Sequence, residues 1–122
     1  MTERLAATLG ALFAGLGVAF GAFGAHALRA RLEPRDLETF ETAVRYQMYH
    51  AFALIACAWL ISRGISQAGQ AALAFTLGTI VFSGSLYVLV LTGQRWLGAV
   101  TPLGGVAFLA GWVLLMVAAR KL

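Results

Sequence analysis

Two histidines and a small set of tyrosine, serine and arginine side chains are the residues of this sequence that could do chemistry. His26 lies near the end of the glycine-rich stretch GAFGAHAL, and His50 ends the polar stretch RYQMYH. Side chains of these types can hold a proton, a polar ligand or a lipid headgroup. The candidate ligand-binding residues are His26, Arg45, Tyr46, His50, Ser83 and Tyr87.

The sequence gives little support to catalytic or metal-binding chemistry. Two histidines are too few for a typical zinc site, and one cysteine, Cys57, can form neither an internal disulfide nor a thiolate cluster. The FSGSLY stretch around Ser83 is not a nucleophile elbow, because no strand precedes it. The Gly-Ala-Phe-Gly stretch lacks the βαβ context of a dinucleotide loop. We therefore expect a non-enzyme without catalytic residues, metal or cofactor.

The composition indicates that most of the surface faces lipid. Of the 122 residues, 61% are hydrophobic and 11% are charged. A soluble domain carries about 25% charged residues, and a small one has a large surface to cover. The net charge of +4 comes from basic residues at the ends of apolar segments. This placement favours contact with membrane lipid headgroups over nucleic acid.

Four long segments without charged residues predict an all-α membrane protein. They cover residues 5–28, 46–62, 64–94 and 96–119. About 20 apolar residues at ~1.5 Å each span a hydrocarbon core of ~30 Å. Because the connections are short, we expect one domain over 1–122, a four-transmembrane-helix antiparallel bundle. Its spans are predicted near 5–27, 44–62, 71–92 and 97–119.

The longest polar segment joins the first and second spans. Pro34 ends the preceding helix, and Asp36 can cap a new one. Apolar residues then recur at helical spacing, at Leu37, Phe40 and Val44. This pattern predicts a short amphipathic interfacial helix that runs into the second span.

Four spans put both termini on one side of the membrane, called side A here; the other is side B. On this arrangement His26, His50 and Tyr87 lie near side B. Two interpretations follow: a specific polar pocket, or interfacial anchoring by aromatic and histidine side chains.

Small residues form stripes that predict close helix packing. The residues assigned to this role are Gly10, Gly17, Gly21, Gly24, Gly104 and Gly111. Helices in lipid associate through close backbone contact, and glycine permits it. We expect the first helix to be central, with neighbours on several sides. We also expect a polar stripe on the third span to face protein, at Thr76, Thr79, Ser83 and Tyr87.

Four stretches, GAFGAHAL, TAVRYQMYHA, FSGSLY and TPLGG, resemble the bacterial "domain of unknown function 423" family, whose eukaryotic relatives are transmembrane-protein-256-like. The resemblance covers nearly the whole chain. It implies a small, multi-pass integral protein of the inner membrane. It implies no activity and transfers no catalytic residue.

Three functions remain open at this point. The first is a non-catalytic membrane protein that self-associates or serves as an accessory subunit of a larger membrane complex. The alternative is an oligomeric transporter or channel for a small solute or ion, although no acidic residue lies at mid-membrane to mark a proton or cation route. The second alternative is a lipid- or quinone-binding protein that uses the polar cluster at one interface.

Overall fold

The structure is a computed structural model that describes residues 1–122. It contains four helices and no strand, which confirms the all-α class. Helix α1 combines an α-helix, a π-helical turn at Ala19–Gly24 and a final α-helical turn, and helix α4 begins with a 3-10 turn at Arg95–Ala99. The bounds are α1 Glu3–Leu28, α2 Pro34–Ser62, α3 Ala68–Thr92 and α4 Arg95–Ala119.

Three of these helices, α1, α3 and α4, are long and apolar enough to cross a membrane. Helix α2 has 29 residues, but charged and amide side chains occupy much of its first half. Short turns join α2 to α3 and α3 to α4, and each contains a glycine with positive φ, Gly64 and Gly93. Gly93 ends α3 in the left-handed conformation, which glycine adopts without a steric penalty. Consecutive helices therefore run antiparallel.

The predicted interfacial helix does not exist as a separate element. Residues 34–62 form one continuous helix, so the amphipathic segment runs without a break into the segment predicted as the second span. Pro34 occupies the first turn, where its missing N–H costs nothing, and Glu33 takes the N-cap position that was assigned to Asp36. No glycine or further proline interrupts the helix before Ser62. The amphipathic segment is thus the first part of α2.

Asp36 has a different role, as the partner of Arg95. The Arg95 guanidinium donates two hydrogen bonds to the carboxylate, at 2.7 and 3.0 Å. These bonds hold the pKa of Asp36 below its usual value. The pair ties the first turn of α2 to the start of α4, so both lie at the same end of the molecule.

Helices α2 and α3 form the centre of the bundle. Helix α1 packs mainly on α2, helix α4 packs mainly on α3, and α1 and α4 do not touch each other. The two outer helices therefore lie on opposite sides of the α2–α3 pair. The expectation that α1 is central is wrong, because its far side is open and Phe23 is 75% exposed. Apolar residues cover all faces of a lipid-facing helix, so hydropathy does not distinguish the face that contacts protein.

Each of the six glycines assigned to packing lies where two helices approach each other. A Cβ on Gly10 would lie 2.9 Å from the Ala51 carbonyl oxygen, and one on Gly111 would lie 2.6 Å from the Phe75 ring. The other four face side chains or backbone of the adjoining helix. Gly78, which the sequence analysis missed, has the same role against Phe108. The α1–α2 and α3–α4 contacts therefore both depend on glycines, which have no side chain and so let the two helices approach each other closely.

Two adjacent glycines in α4 test this dependence. A Cβ on Gly104 would meet the Phe82 backbone, with Cα at 2.8 Å, whereas one on Gly105 would meet nothing within 4 Å. We expect Gly104→Ala to destabilise the protein by roughly 1–3 kcal/mol, as overpacked cores do. Gly105→Ala should be neutral or stabilising by up to ~1 kcal/mol, from helix propensity. Thermal unfolding in mild detergent measures both, and equal midpoints would contradict the packing argument.

Candidate functional site

Two groups of polar and aromatic side chains lie on different faces of α2. Residues four apart share a helix face, so Tyr46 and His50 point the same way, toward α4. Gln47 is rotated from Tyr46 by about 100° and points toward α1 and α3. One helix thus supplies both groups, which we call the amide network and the aromatic groove.

The amide network consists of the Gln47 side chain, the Tyr87 hydroxyl and the Phe13 carbonyl. Gln47 Nε2 donates to the Phe13 carbonyl oxygen at 2.8 Å, and Tyr87 Oη donates to Gln47 Oε1 at 2.7 Å. Gln47 is 3% exposed. Because the two bonds reach α1 and α3, this amide joins three helices. The Tyr87 ring also packs against Phe20 and Phe40, with centroids 5.2 and 5.4 Å away.

The polar stripe of α3 faces protein, as predicted. Thr76, Thr79 and Ser83 are buried. The two threonines donate back to carbonyls of their own helix, at Ala72 and Phe75. Ser83 instead donates across to the Ala43 carbonyl of α2 at 2.7 Å. Every hydroxyl of the stripe is therefore satisfied within the chain, as burial in an apolar phase demands.

The aromatic groove lies between α2 and α4, with Phe82 of α3 at its back. It has a volume of about 310 Å³ and is open to the outside of the bundle, because Tyr49, Leu109 and Trp112 of its lining are exposed. Within it the His50 ring stacks on Phe108, with centroids 3.5 Å apart and planes at 3°. Tyr46 stacks on Phe82 at 4.6 Å. The lining residues are Tyr46, Tyr49, His50, Phe82, Gly105, Phe108, Leu109 and Trp112.

The hydrogen bonds of His50 define its protonation state. Its Nδ1 lies 2.6 Å from the Tyr46 carbonyl oxygen, and its Nε2 lies 3.1 Å from the Trp112 indole nitrogen. A carbonyl only accepts and an indole N–H only donates, so Nδ1 carries the hydrogen and Nε2 is the acceptor. His50 is therefore a neutral ring with both nitrogens in use. This arrangement supports stacking and packing, and it leaves no nitrogen free for a metal.

The six predicted ligand-binding residues do not come together in one pocket. Tyr46 and His50 line the aromatic groove, whereas Ser83 and Tyr87 line a second groove of about 230 Å³ between α1 and α3. His26 is exposed, and exposed Arg45 donates to the Thr42 hydroxyl, outside both grooves. The single polar cluster at side B is therefore not present.

The placement of His50 near side B was wrong because its depth was counted from a span start at residue 44, whereas Phe40 already packs beside the neighbouring helices. His50 is the 17th residue of α2, and it packs on Phe75, the eighth residue of α3, which starts at the opposite end. His26 lies two residues beyond Gly24, which adjoins Phe40 of α2. Ten helical residues separate Phe40 from His50, so the two histidines differ in depth by about 15 Å or more.

Sequence reasoning missed Gln47, Phe108 and Trp112 as members of these groups. The signal for Gln47 was present: an amide one turn into an apolar segment needs partners inside the protein. Phe108 and Trp112 carried no comparable signal, because aromatic residues in a membrane helix serve equally well on a lipid-facing surface. No group of three metal-ligating side chains occurs in the structure. The two grooves can therefore hold uncharged molecules through stacking, packing and hydrogen bonds.

A double-mutant cycle tests the amide network. Tyr87→Phe leaves Gln47 Oε1 buried without its donor, and Gln47→Met leaves the Tyr87 hydroxyl without its acceptor. An orphaned buried group costs more than a pair removed together, so the double variant should lose less stability than the sum of the single ones. Because hydrogen bonds between membrane helices couple by about 0.6–1.7 kcal/mol, we expect a coupling energy in that range. Unfolding free energies in detergent give this coupling, and strict additivity would show that the bond contributes nothing.

Known proteins resemble this chain along its whole length. The family described as "Protein of unknown function (DUF423)" matches residues 20–105. UPF0382 membrane protein YwdK of Bacillus subtilis (strain 168) is 45% identical over 115 residues, 93% of this chain and 94% of the relative. UPF0382 inner membrane protein YgdD of Escherichia coli (strain K12) is 41% identical over 123 residues, 100% of this chain and 94% of the relative. No solved structure matches the chain.

These similarities confirm the resemblance carried by the four sequence motifs. The relatives are named as membrane proteins, and three helices of this chain are able to cross a membrane. The chain is a multi-pass integral protein of the inner membrane, and it belongs to the DUF423 family.

Proposed function

We propose that this protein is a non-catalytic, four-span membrane subunit that assembles with a second copy of itself through the outer face of α1. The observation that carries the proposal is a stripe of small residues on that face, without a neighbour in the chain. A Cβ on Gly15 would meet nothing within 4 Å. The stripe comprises Ala11, Gly15, Ala19 and Ala22, all exposed.

A fourth span at α2 is supported by its contacts with α1. The glycines of α1 meet α2 in order along its length, from Gly10 beside Ala51 to Gly24 beside Phe40. Helix α1 is itself able to cross the membrane, so the part of α2 beside it lies at the same depth. From Phe40 to Ser62, α2 is about 33 Å long, enough to span a hydrocarbon core of ~30 Å. Glu41 and Arg45, in the first turns of this stretch, are exposed, and Gln47 and His50, further along it, are buried against other helices.

Cysteine labelling distinguishes four spans from three. On a Cys57→Ala background, single cysteines at Thr2 and Gly64 should react with an impermeant maleimide from the same side of sealed vesicles. A cysteine at Glu33 should react only from the other side. If α2 did not cross, the cysteines at Thr2 and Gly64 would be labelled from opposite sides. The full-length protein is used throughout, and labelling after detergent lysis serves as the control.

The outer face of α1 has the properties of a helix–helix contact. Gly15 costs up to ~1 kcal/mol in a helix relative to alanine, and no packing within the chain compensates for this. In lipid, small residues at four-residue spacing let two backbones approach closely enough for dispersion to hold them. The same face on two copies is self-complementary about a two-fold axis, which is the commonest symmetry of homo-oligomers. A second copy therefore fits the face without any further element.

The transporter alternative has less support. The hydroxyls of Thr76, Thr79 and Ser83 all donate to backbone carbonyls, so their hydrogens are not available to a permeating solute. No ionisable acidic side chain lies in the middle of the helices. The accessory-subunit alternative uses the same face of α1 and differs from self-association only in which protein binds there.

Gly15→Leu tests the self-association. A leucine there projects from the stripe and should weaken the dimer by about tenfold or more, because overpacking of a close contact costs about 1–3 kcal/mol and about 1.4 kcal/mol corresponds to tenfold. The intramolecular fold should persist, because nothing lies within 4 Å of the new Cβ. Mass measurement of the detergent-solubilised protein over a concentration series gives the dissociation constant. Gly105→Leu is the matched control, since it adds the same side chain on a different helix.

Two results would overturn the proposal. One is a strictly monomeric wild-type protein in mild detergent and in nanodiscs. The other is a dimer whose dissociation constant is the same in wild type and Gly15→Leu. A wild-type protein that co-purifies with a different chain, lost in Gly15→Leu, would replace self-association by the accessory-subunit function.

A further inference from the structure

We propose that the aromatic groove between α2 and α4 binds a quinone: a neutral, planar ring that carries oxygen acceptors and an apolar tail lying in the lipid phase. The site goes beyond the assembly function and lies on the other side of the α2–α3 pair from the α1 face. The proposal concerns binding alone and includes no chemical step.

The lining of the groove favours a flat ring. Six of the eight lining residues are aromatic or histidine, namely Tyr46, Tyr49, His50, Phe82, Phe108 and Trp112. Aromatic rings attract one another in offset-stacked and edge-on arrangements, beyond the effect of area. Phe82 lies 5.4 Å from Phe108, and Phe75, which is outside the lining, packs edge-on against Trp112 of the groove at 5.0 Å. The walls are therefore held in place before a ligand enters.

Space for the ring is provided by Gly105. A Cβ there would meet nothing within 4 Å, so the missing side chain leaves a gap between Tyr46 and Leu109. The volume of about 310 Å³ is at the small end of the range for ligand sites, roughly 300–1,000 Å³, and suits one substituted ring. A long tail does not fit inside and must leave through the open side.

The position of the groove excludes charged headgroups. Gly105 is ten residues from the start of α4, and Trp112 is seven residues from its end. At ~1.5 Å per residue, the groove lies about 15 Å from one end of the helix and about 10 Å from the other. No charged residue lines it. A phospholipid headgroup at this depth would lack both water and a counter-charge, whereas a neutral ring needs neither.

Two phenol hydroxyls provide polar contacts at the rim. The hydrogen bonds of this region use the Tyr46 carbonyl, both His50 nitrogens and the Trp112 indole, and they leave the hydroxyls of Tyr46 and Tyr49 free. Tyr46 is 38% exposed and Tyr49 is 53% exposed, so both can reach a molecule in the groove. A phenol hydroxyl can donate to a ring carbonyl oxygen. An acyl chain would use neither these donors nor the stacking surfaces.

Tryptophan fluorescence measures binding in the groove directly, because Trp112 is one of its lining residues. A variant with Trp59→Phe and Trp96→Phe retains only Trp112, whereas one with Trp96→Phe and Trp112→Phe retains only Trp59, on the exposed face of α2. Decylubiquinone, which quenches tryptophan, is added to each protein in nanodiscs. We expect saturable quenching of Trp112 and only gradual, unsaturated quenching of Trp59 by probe dissolved in the lipid.

Gly105→Leu in the Trp112-only protein should weaken the saturable quenching by about tenfold or more, because extra methylenes in a fitted pocket cost 10–200-fold. Gly84→Leu adds the same side chain beside the second groove and should leave the affinity unchanged. Gly15→Leu should also leave it unchanged, which separates this site from the assembly proposal. If Gly105→Leu lowers the thermal midpoint, Leu109→Phe adds bulk to the same groove from a side chain that is 68% exposed, and it leaves Trp112 as the single tryptophan.

Three results would overturn the site. Unsaturated quenching that is equal at Trp112 and Trp59 would show partitioning without binding. Unchanged affinity in both Gly105→Leu and Leu109→Phe would show that the probe lies elsewhere. Displacement of the probe by dodecane as readily as by a second quinone would show that the groove takes acyl chains.

Discussion

The fold depends on the requirement that every polar group inside the lipid phase finds a partner within the protein. Gln47 meets this requirement in a way that joins three helices: its amide donates to a carbonyl of α1 and accepts from Tyr87 of α3. The bond to α1 is possible only because Gly17 lets that helix approach Met48 and Gln47 closely. A side chain at Gly17 would separate the helices and leave the amide unsatisfied. Close packing and polar satisfaction are therefore a single constraint here.

The same constraint explains the order of the helices. Helix α2 carries the polar side chains that cannot face lipid, so it occupies the centre with α3, which carries the hydroxyl stripe. Helices α1 and α4 bring mainly backbone, glycine and apolar side chains, and they pack on the outside. Where an outer helix meets a polar group, it does so through a carbonyl at Phe13, an indole N–H at Trp112 and a hydroxyl at Thr101, which lies 2.6 Å from the Ser85 hydroxyl. Centrality follows from polar content and not from the number of glycines.

Much of the fold, but less of the site, could be predicted from the sequence. The charge-free segments predicted the four helices, and the glycine spacing predicted residues that lie at helix contacts. Both predictions succeeded because they depend on local composition. The central position of α1 was wrong because small residues occur on two of its faces and only one meets α2. The common pocket of His26 and His50 was wrong because the residues of α2 before Val44, taken as interfacial, already pack against α1 and α3, which places His50 deeper in the bundle. The stacking of His50 on Phe108 depends on the rotation of α4 about its axis, which pairwise packing fixes and periodicity does not.

The aromatic groove and the open face of α1 are the surfaces on which the two proposals depend. The connections between helices are short, so the loops offer no aqueous domain. Both grooves are lined by residues from the middle of the helices, and the small-residue stripe of α1 also lies along the middle of its helix. Under the two proposals, both partners therefore arrive through the lipid, one as another helix and the other as a lipid-soluble molecule. The two partners need different surfaces: a helix requires a flat face of small residues, and a ring requires a groove lined by aromatic side chains. This chain has one of each on opposite sides of its central pair, so occupancy of one leaves the other accessible.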